Sequence, residues 1–107
     1  MAYLNRGFVG TQYCTTAAGV AIGVAGKPTR IYHINVLSGG TAGEIKVYNG
    51  IAVVAANLYL QQLCTTVSTG NDFNYGQEGI LFPNGAFLEE VSDANVVSST
   101  VTFSQEK

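Results

Sequence analysis

The chain has no tryptophan, one histidine, two prolines and two cysteines, and its 107 residues include only five basic and seven acidic side chains. Charge at 11% is less than half of the roughly 25% usual in soluble domains. The cations Arg6, Lys27, Arg30, Lys46 and Lys107 are scattered, whereas tracking a phosphate backbone needs several together. Nucleic acid is therefore not an expected partner, and Lys27 with Arg30 reads as a solvated strand start in preference to an anion site. One histidine and two cysteines do not make a four-ligand zinc centre. Long apolar runs are missing too. The longest weakly polar stretch, IAVVAANLYL at 51–60, is about half of what a membrane-spanning helix needs, so no membrane partner is expected. The start, MAYLNRGFVG, lacks the charged-then-apolar order of a signal peptide, so synthesis in a cytoplasm without export by that route is expected. No Asn-x-Ser/Thr acceptor occurs.

What is present is apolar and hydroxylated. Hydrophobic residues make up 47% of the chain, and a chain of this length fits one domain able to bury its own core. Alternation with a period of two marks strands at 29–37, 44–48, 86–91 and 97–104, with shorter ones at 12–16, 20–24, 58–66 and 80–82. Along 29–37, Tyr32, Ile34 and Val36 form the more apolar face. Near the C-terminus, Val97, Ser99, Val101 and Phe103 share one face and Ser98, Thr100, Thr102 and Ser104 the other. Residues 51–63 read as a loop feeding a strand, with a short helix as the alternative that their alanines and leucines allow. Turn signals at Gly26-Lys27-Pro28, Ser38-Gly39-Gly40, Asn49-Gly50, Gly70-Asn71-Asp72, Pro83-Asn84-Gly85 and Ser92-Asp93-Ala94-Asn95 punctuate the rest. The expectation is all-β: a single antiparallel β-sandwich or jelly-roll-like domain of roughly eight short strands over 11–107. Residues 1–10 are set apart as an N-terminal arm. Its Tyr3, Leu4, Phe8 and Val9 are the candidate subunit contacts, with a first strand of the same sandwich as the alternative.

No reactive constellation emerges. Glu89 and Glu90 are adjacent on a strand and must point to opposite faces; Asp72, Glu78 and Asp93 read as turn groups, and most of the carboxylates as surface groups. Cys14 or Cys64 with His33 would supply two of the three parts of a nucleophile system, but no hydrolase signature surrounds them. The cysteines, in YCTT and LCTT, read as buried free thiols and His33 as a surface or contact histidine. SGGTAGE and GVAIGVAG lack the features of phosphate-binding loops. Asn71, Asp72, Asn74 and Glu78 could collect calcium only in a spacing unlike an EF-hand. Tyr48, Phe73 and Tyr75 are the aromatics a sugar could stack on. No enzyme activity, cofactor or metal is expected.

Taken together, IYHINVLSGGTAGEIKVYNG (31–50), GNDFNYGQEGILFPNGAFLEE (70–90) and VVSSTVTFSQ (96–105) resemble small virion structural proteins of tailed bacteriophages. The resemblance implies a compact β module carried in many copies on a particle, with no active-site residues to transfer. The expected function is a non-enzymatic capsid decoration or cement protein located in the virion. It would act as a homo-oligomer, with a trimer suiting a lattice junction, against a major capsid or tail protein. Two alternatives are a receptor- or glycan-binding knob of a tail or fibre, and an extracellular filament built by strand exchange through the N-terminal arm.

Overall fold

The structure, a computed structural model, describes residues 6–14, 19–38, 43–64, 70–91 and 96–106, with the side chains of 6–9, 38, 64, 96, 97 and 106 excepted. The described residues form nine strands: β1 (Arg6–Cys14), β2 (Val20–Ala21), β3 (Thr29–Ser38), β4 (Gly43–Asn49), β5 (Leu58–Cys64), β6 (Gly70–Asn74), β7 (Ile80–Phe82), β8 (Ala86–Val91) and β9 (Val96–Glu106). They make two antiparallel sheets. One runs β1-β9-β3-β6, with β7 also on β3; the other runs β2-β8-β4-β5.

The pairing is nested. β1 lies on β9, β2 on β8, β3 on β6 and β7, and β4 on β5. One long hairpin has thus been rolled up, and the cross-links β3–β9 and β4–β8 close each sheet. This is the jelly-roll arrangement. β6 and β7 share one flank of β3, so together they fill one of the eight places of the roll.

Alternation builds the core. β8 buries Ala86, Leu88 and Glu90 and turns Phe87, Glu89 and Val91 outward. β4 and β9 answer with Ile45, Val47, Val101 and Phe103, while Cys14, Ile22, Ile31, Ile34, Val36 and Phe82 complete the packed interior. β3 departs from simple alternation. A bulge between Ile31 and His33 inserts an extra residue and changes which side chains face in. Ile31 therefore joins Ile34 and Val36 in the core, and the Tyr32 hydroxyl bonds Ser104 Oγ at 2.7 Å instead. The face expected for Tyr32 is corrected accordingly.

The segment set apart as an arm also reads differently. Tyr3 and Leu4 lie outside the described residues, but Arg6 to Gly10 belong to β1 and pair with β9 from Arg6↔Glu106 onward. Phe8 and Val9 are thus strand positions on the edge of the first sheet. Residues 70–74, read as turn and loop, are strand β6. Its polar composition suits a turn, but β3 offers a ladder, and Phe73 packs against the core. Residues 50–57 are loop with a single 3-10 turn at Ala55–Asn57 leading into β5.

Candidate functional site

Three places gather the side chains with chemical potential. The first is the outer face of the β1-β9-β3-β6 sheet. With Cys14, Ile34, Val36 and Val101 facing inward, the intervening positions line up in two rows across four strands. One row is Tyr13, Thr100, Asn35 and Asp72, and the next is Thr11, Thr102, His33 and Asn74. Adjacent strands are about 4.8 Å apart, so each row is a strip of closely spaced polar groups. Asp72 is its focus: Asn35 Nδ2 donates to Asp72 Oδ1, and His33 Nε2 stands 3.4 Å from the same oxygen. Tyr13, 68% exposed, closes the row on β1.

This placement bears on two combinations that the sequence raises. Cys14 is buried and faces the interior, while His33 meets Asp72 on the opposite face of the same sheet. The two do not come together as nucleophile and base. The calcium-type set also separates. Asp72 and Asn74 share the outer face, whereas Asn71 alternates with them, its amide reaching the Val36 carbonyl at 3.5 Å. Among the described residues no three His, Cys, Asp or Glu side chains are placed to hold a metal ion.

The second place lies between the sheets. Glu90 is buried, because alternation sends one of two adjacent carboxylates inward, an exception among carboxylates expected mostly at the surface. The Ser99 hydroxyl, on β9, donates to Glu90 Oε2 at 2.8 Å. Cys14, Ser99's partner across the β1–β9 ladder, is a free thiol. Burial first, and the Glu90 carboxylate second, push that thiol up to about 11, against a smaller opposing effect from the Gln12 amide. Such a thiol is almost wholly protonated near neutrality and is a poor nucleophile. Glu89, on the outer face, accepts the Tyr48 hydroxyl at 2.7 Å.

The candidate stacking aromatics are therefore not open platforms. Tyr48 is buried against Glu89, and Phe73 and Tyr75 are half-buried against the core. Among the described residues the exposed tyrosines are Tyr13 and Tyr59, the latter with its ring centroid 5.7 Å from that of Phe82. Nothing local in YCTT or LYLQQ signals this exposure; it follows from which strand pairs with which.

The third place is one end of the roll, where residues 23–28, 50–57 and 83–85 meet. Gly50 N–H donates to the Gly85 carbonyl at 2.9 Å, and Asn84 N–H to Asn49 Oδ1 at 2.8 Å. Gly85 has φ +100°, and a Cβ there would stand 2.8 Å from Gly26 N and 3.2 Å from Gly50 O. The loops are drawn together by a close backbone approach that only glycine permits. Their outward side is apolar. Val24, Ile51, Val53 and Val54 are all exposed, Ile51 at 66%, and every residue from 51 to 57 is exposed. No helix among the described residues is long and apolar enough to cross a membrane. Compared with known protein families, curated proteins and solved structures, the chain has no match.

Proposed function

We propose that the chain is a non-enzymatic structural component of a phage particle: a capsid decoration protein that acts as a homo-oligomer and seats its apolar loop end on a major capsid or tail protein. The loop end is the observation that carries this reading. A cluster of exposed apolar side chains is a usual mark of a protein contact, and here Val24, Ile51, Val53 and Val54 are exposed on two of the three braced loops. Jelly rolls serve as building blocks in capsids, and a low charge content suits a surface that is covered on assembly. The test is co-purification with particles. The unaltered chain should sediment with virions, and Val53→Asp/Val54→Asp should leave its melting temperature in place while removing it from them. A chain absent from particles overturns the reading.

The outer face of the first sheet supports a second reading, a receptor- or glycan-binding knob. Amide, carboxylate and hydroxyl groups in rows, with an exposed tyrosine at one end, match the alternating diols and apolar faces of a sugar. This reading shifts the contact from Tyr48, Phe73 and Tyr75 to Tyr13, Asn35 and Asp72. Glycan-array binding lost in Tyr13→Ala and Asp72→Asn would support it; an array without hits removes it.

A further inference from the structure

The two sheets have four edges, and three are blunted. β2 is two residues long. β5 carries a bulge where Val47 pairs with Leu60 but Tyr48 with Leu58, which leaves Tyr59 extra. The β6/β7 edge is broken between Asn74 and Ile80 and bears Asp72. Short length, bulges and charge are the devices by which proteins keep sheet edges from pairing.

β1 has none of these over most of its length. After the irregularity between Arg6 and Phe8, seven successive residues pair in register with β9, from Phe8↔Gln105 to Cys14↔Ser99. Residues 8–14, FVGTQYC, contain no charge and no proline. Among the described residues, no strand pairs with the other side of β1. Its outward backbone groups are a ladder awaiting a strand.

We propose that this edge pairs with β1 of a second copy, antiparallel about a two-fold axis at Thr11. That axis is the one that engages all seven regular residues. It sets Thr11 opposite Thr11, Gly10 opposite Gln12 and Val9 opposite Tyr13. A contact of this kind is self-complementary, as a two-fold interface requires. No like charges meet across it, since the segment has none. The exposed Tyr13 is set opposite residue 9 of the second copy, and cross-strand pairs add a fraction of a kcal/mol each beyond the ladder itself. The two polar outer faces become one continuous sheet surface. Val9 and Phe8, expected as subunit contacts, fall inside this segment. The contact deepens the oligomeric reading above and rests on it only for its biological setting. A two-fold contact makes pairs; the trimer expected for a lattice junction would need another surface.

The purified chain should run at twice its 11.2 kDa mass in light scattering. Thr11 is exposed, so Thr11→Lys leaves the fold alone and places two lysines opposite each other; it should weaken the dimer at least tenfold with an unchanged melting temperature. Directly opposite residues in an antiparallel pair have Cα atoms about 4.5–5.5 Å apart, within disulfide range. In a Cys64→Ser background, Thr11→Cys should therefore cross-link fully under mild oxidation, and Lys46→Cys, on the other sheet, should not. A monomeric parent chain overturns the proposal, as does a dimer indifferent to Thr11→Lys or a Thr11→Cys variant that cross-links no faster than Lys46→Cys. Particle binding, read separately through Val53 and Val54, can stand or fall independently of these results.

Discussion

Gln105 and Val24 bond to each other as two strand residues would, although only one of them uses its backbone. Val24 N–H donates to Gln105 Oε1 at 2.9 Å, and Gln105 Nε2 donates back to the Val24 carbonyl at 2.9 Å. The same amide reaches the Ile22 carbonyl at 3.2 Å and Thr29 Oγ1 at 2.9 Å. Gln12 does likewise one step along, taking Gly23 N–H at 2.8 Å and donating to the Ala21 carbonyl at 2.9 Å. Two side chains of the first sheet thus extend the hydrogen bonding of the second, whose edge strand β2 is too short to satisfy this segment itself.

Gln105 is buried, so removing its amide strands several backbone groups away from water. Gln105→Leu, close in volume, should lower stability by about 3 kcal/mol, since each orphaned buried polar group costs roughly 1–3 kcal/mol. Urea unfolding of the two proteins measures this. A loss below about 1 kcal/mol would mean that water replaces the amide.

Gly23 should be far less tolerant than Gly76, although both have left-handed backbone. Gly23 has φ +68°, and a Cβ there would lie 2.5 Å from Gln105 Oε1; Gly76 has φ +84° with nothing within 4 Å. Gly76→Ala should cost about 1 kcal/mol for the backbone alone. Gly23→Ala adds displacement of the Gln105 amide and should cost roughly 3 kcal/mol. Equal losses in thermal unfolding would refute the role given to Gln105.

The Cys14 thiol should be silent in the folded protein. It is buried and its pKa is pushed up to about 11. In a Cys64→Ser background at pH 8, a thiol reagent should label it no faster than the chain unfolds, and at once in denaturant. Rapid labelling of the native state would contradict its placement in the core.

Tyr48 should contribute to alkaline unfolding. Burial, then the hydrogen bond to Glu89, push its hydroxyl from the ordinary 10.0 up to about 12. A group raised on folding contributes stability that is complete below pH 10 and lost as the pH climbs through 12. Tyr48→Phe should flatten that part of the fall, read from urea midpoints between pH 9 and 12. Identical slopes in parent and variant would remove Tyr48 from the account.

Strands whose alternation is clean were legible in the chain. The 86–91 run coincides with β8 and 44–48 lies within β4, whereas β5 begins at Leu58, partway through the 51–63 stretch whose composition fits a loop feeding a strand or a short helix. The opposed faces of Glu89 and Glu90 also followed from period two alone. What escaped depends on partners distant in sequence. β6 is a strand because β3 pairs with it, against the turn-like character of Asn71, Asp72 and Asn74; strand propensity yields to such context. The bulge after Ile31 answers to the β9 ladder and has no local mark. The polar rows on the first sheet need Tyr13, Thr100, Asn35 and Asp72, which four strands bring together from across the chain.

The nested pairing has a practical outcome for handling the protein. Arg6 faces Glu106 across the outermost ladder, at the end of the roll where residue 29 follows the braced loops and pairs with Gln105. A handle joined ahead of Arg6 and one joined behind Glu106 therefore leave the ladder at the same end of the roll, so exchanging one for the other changes its point of departure little.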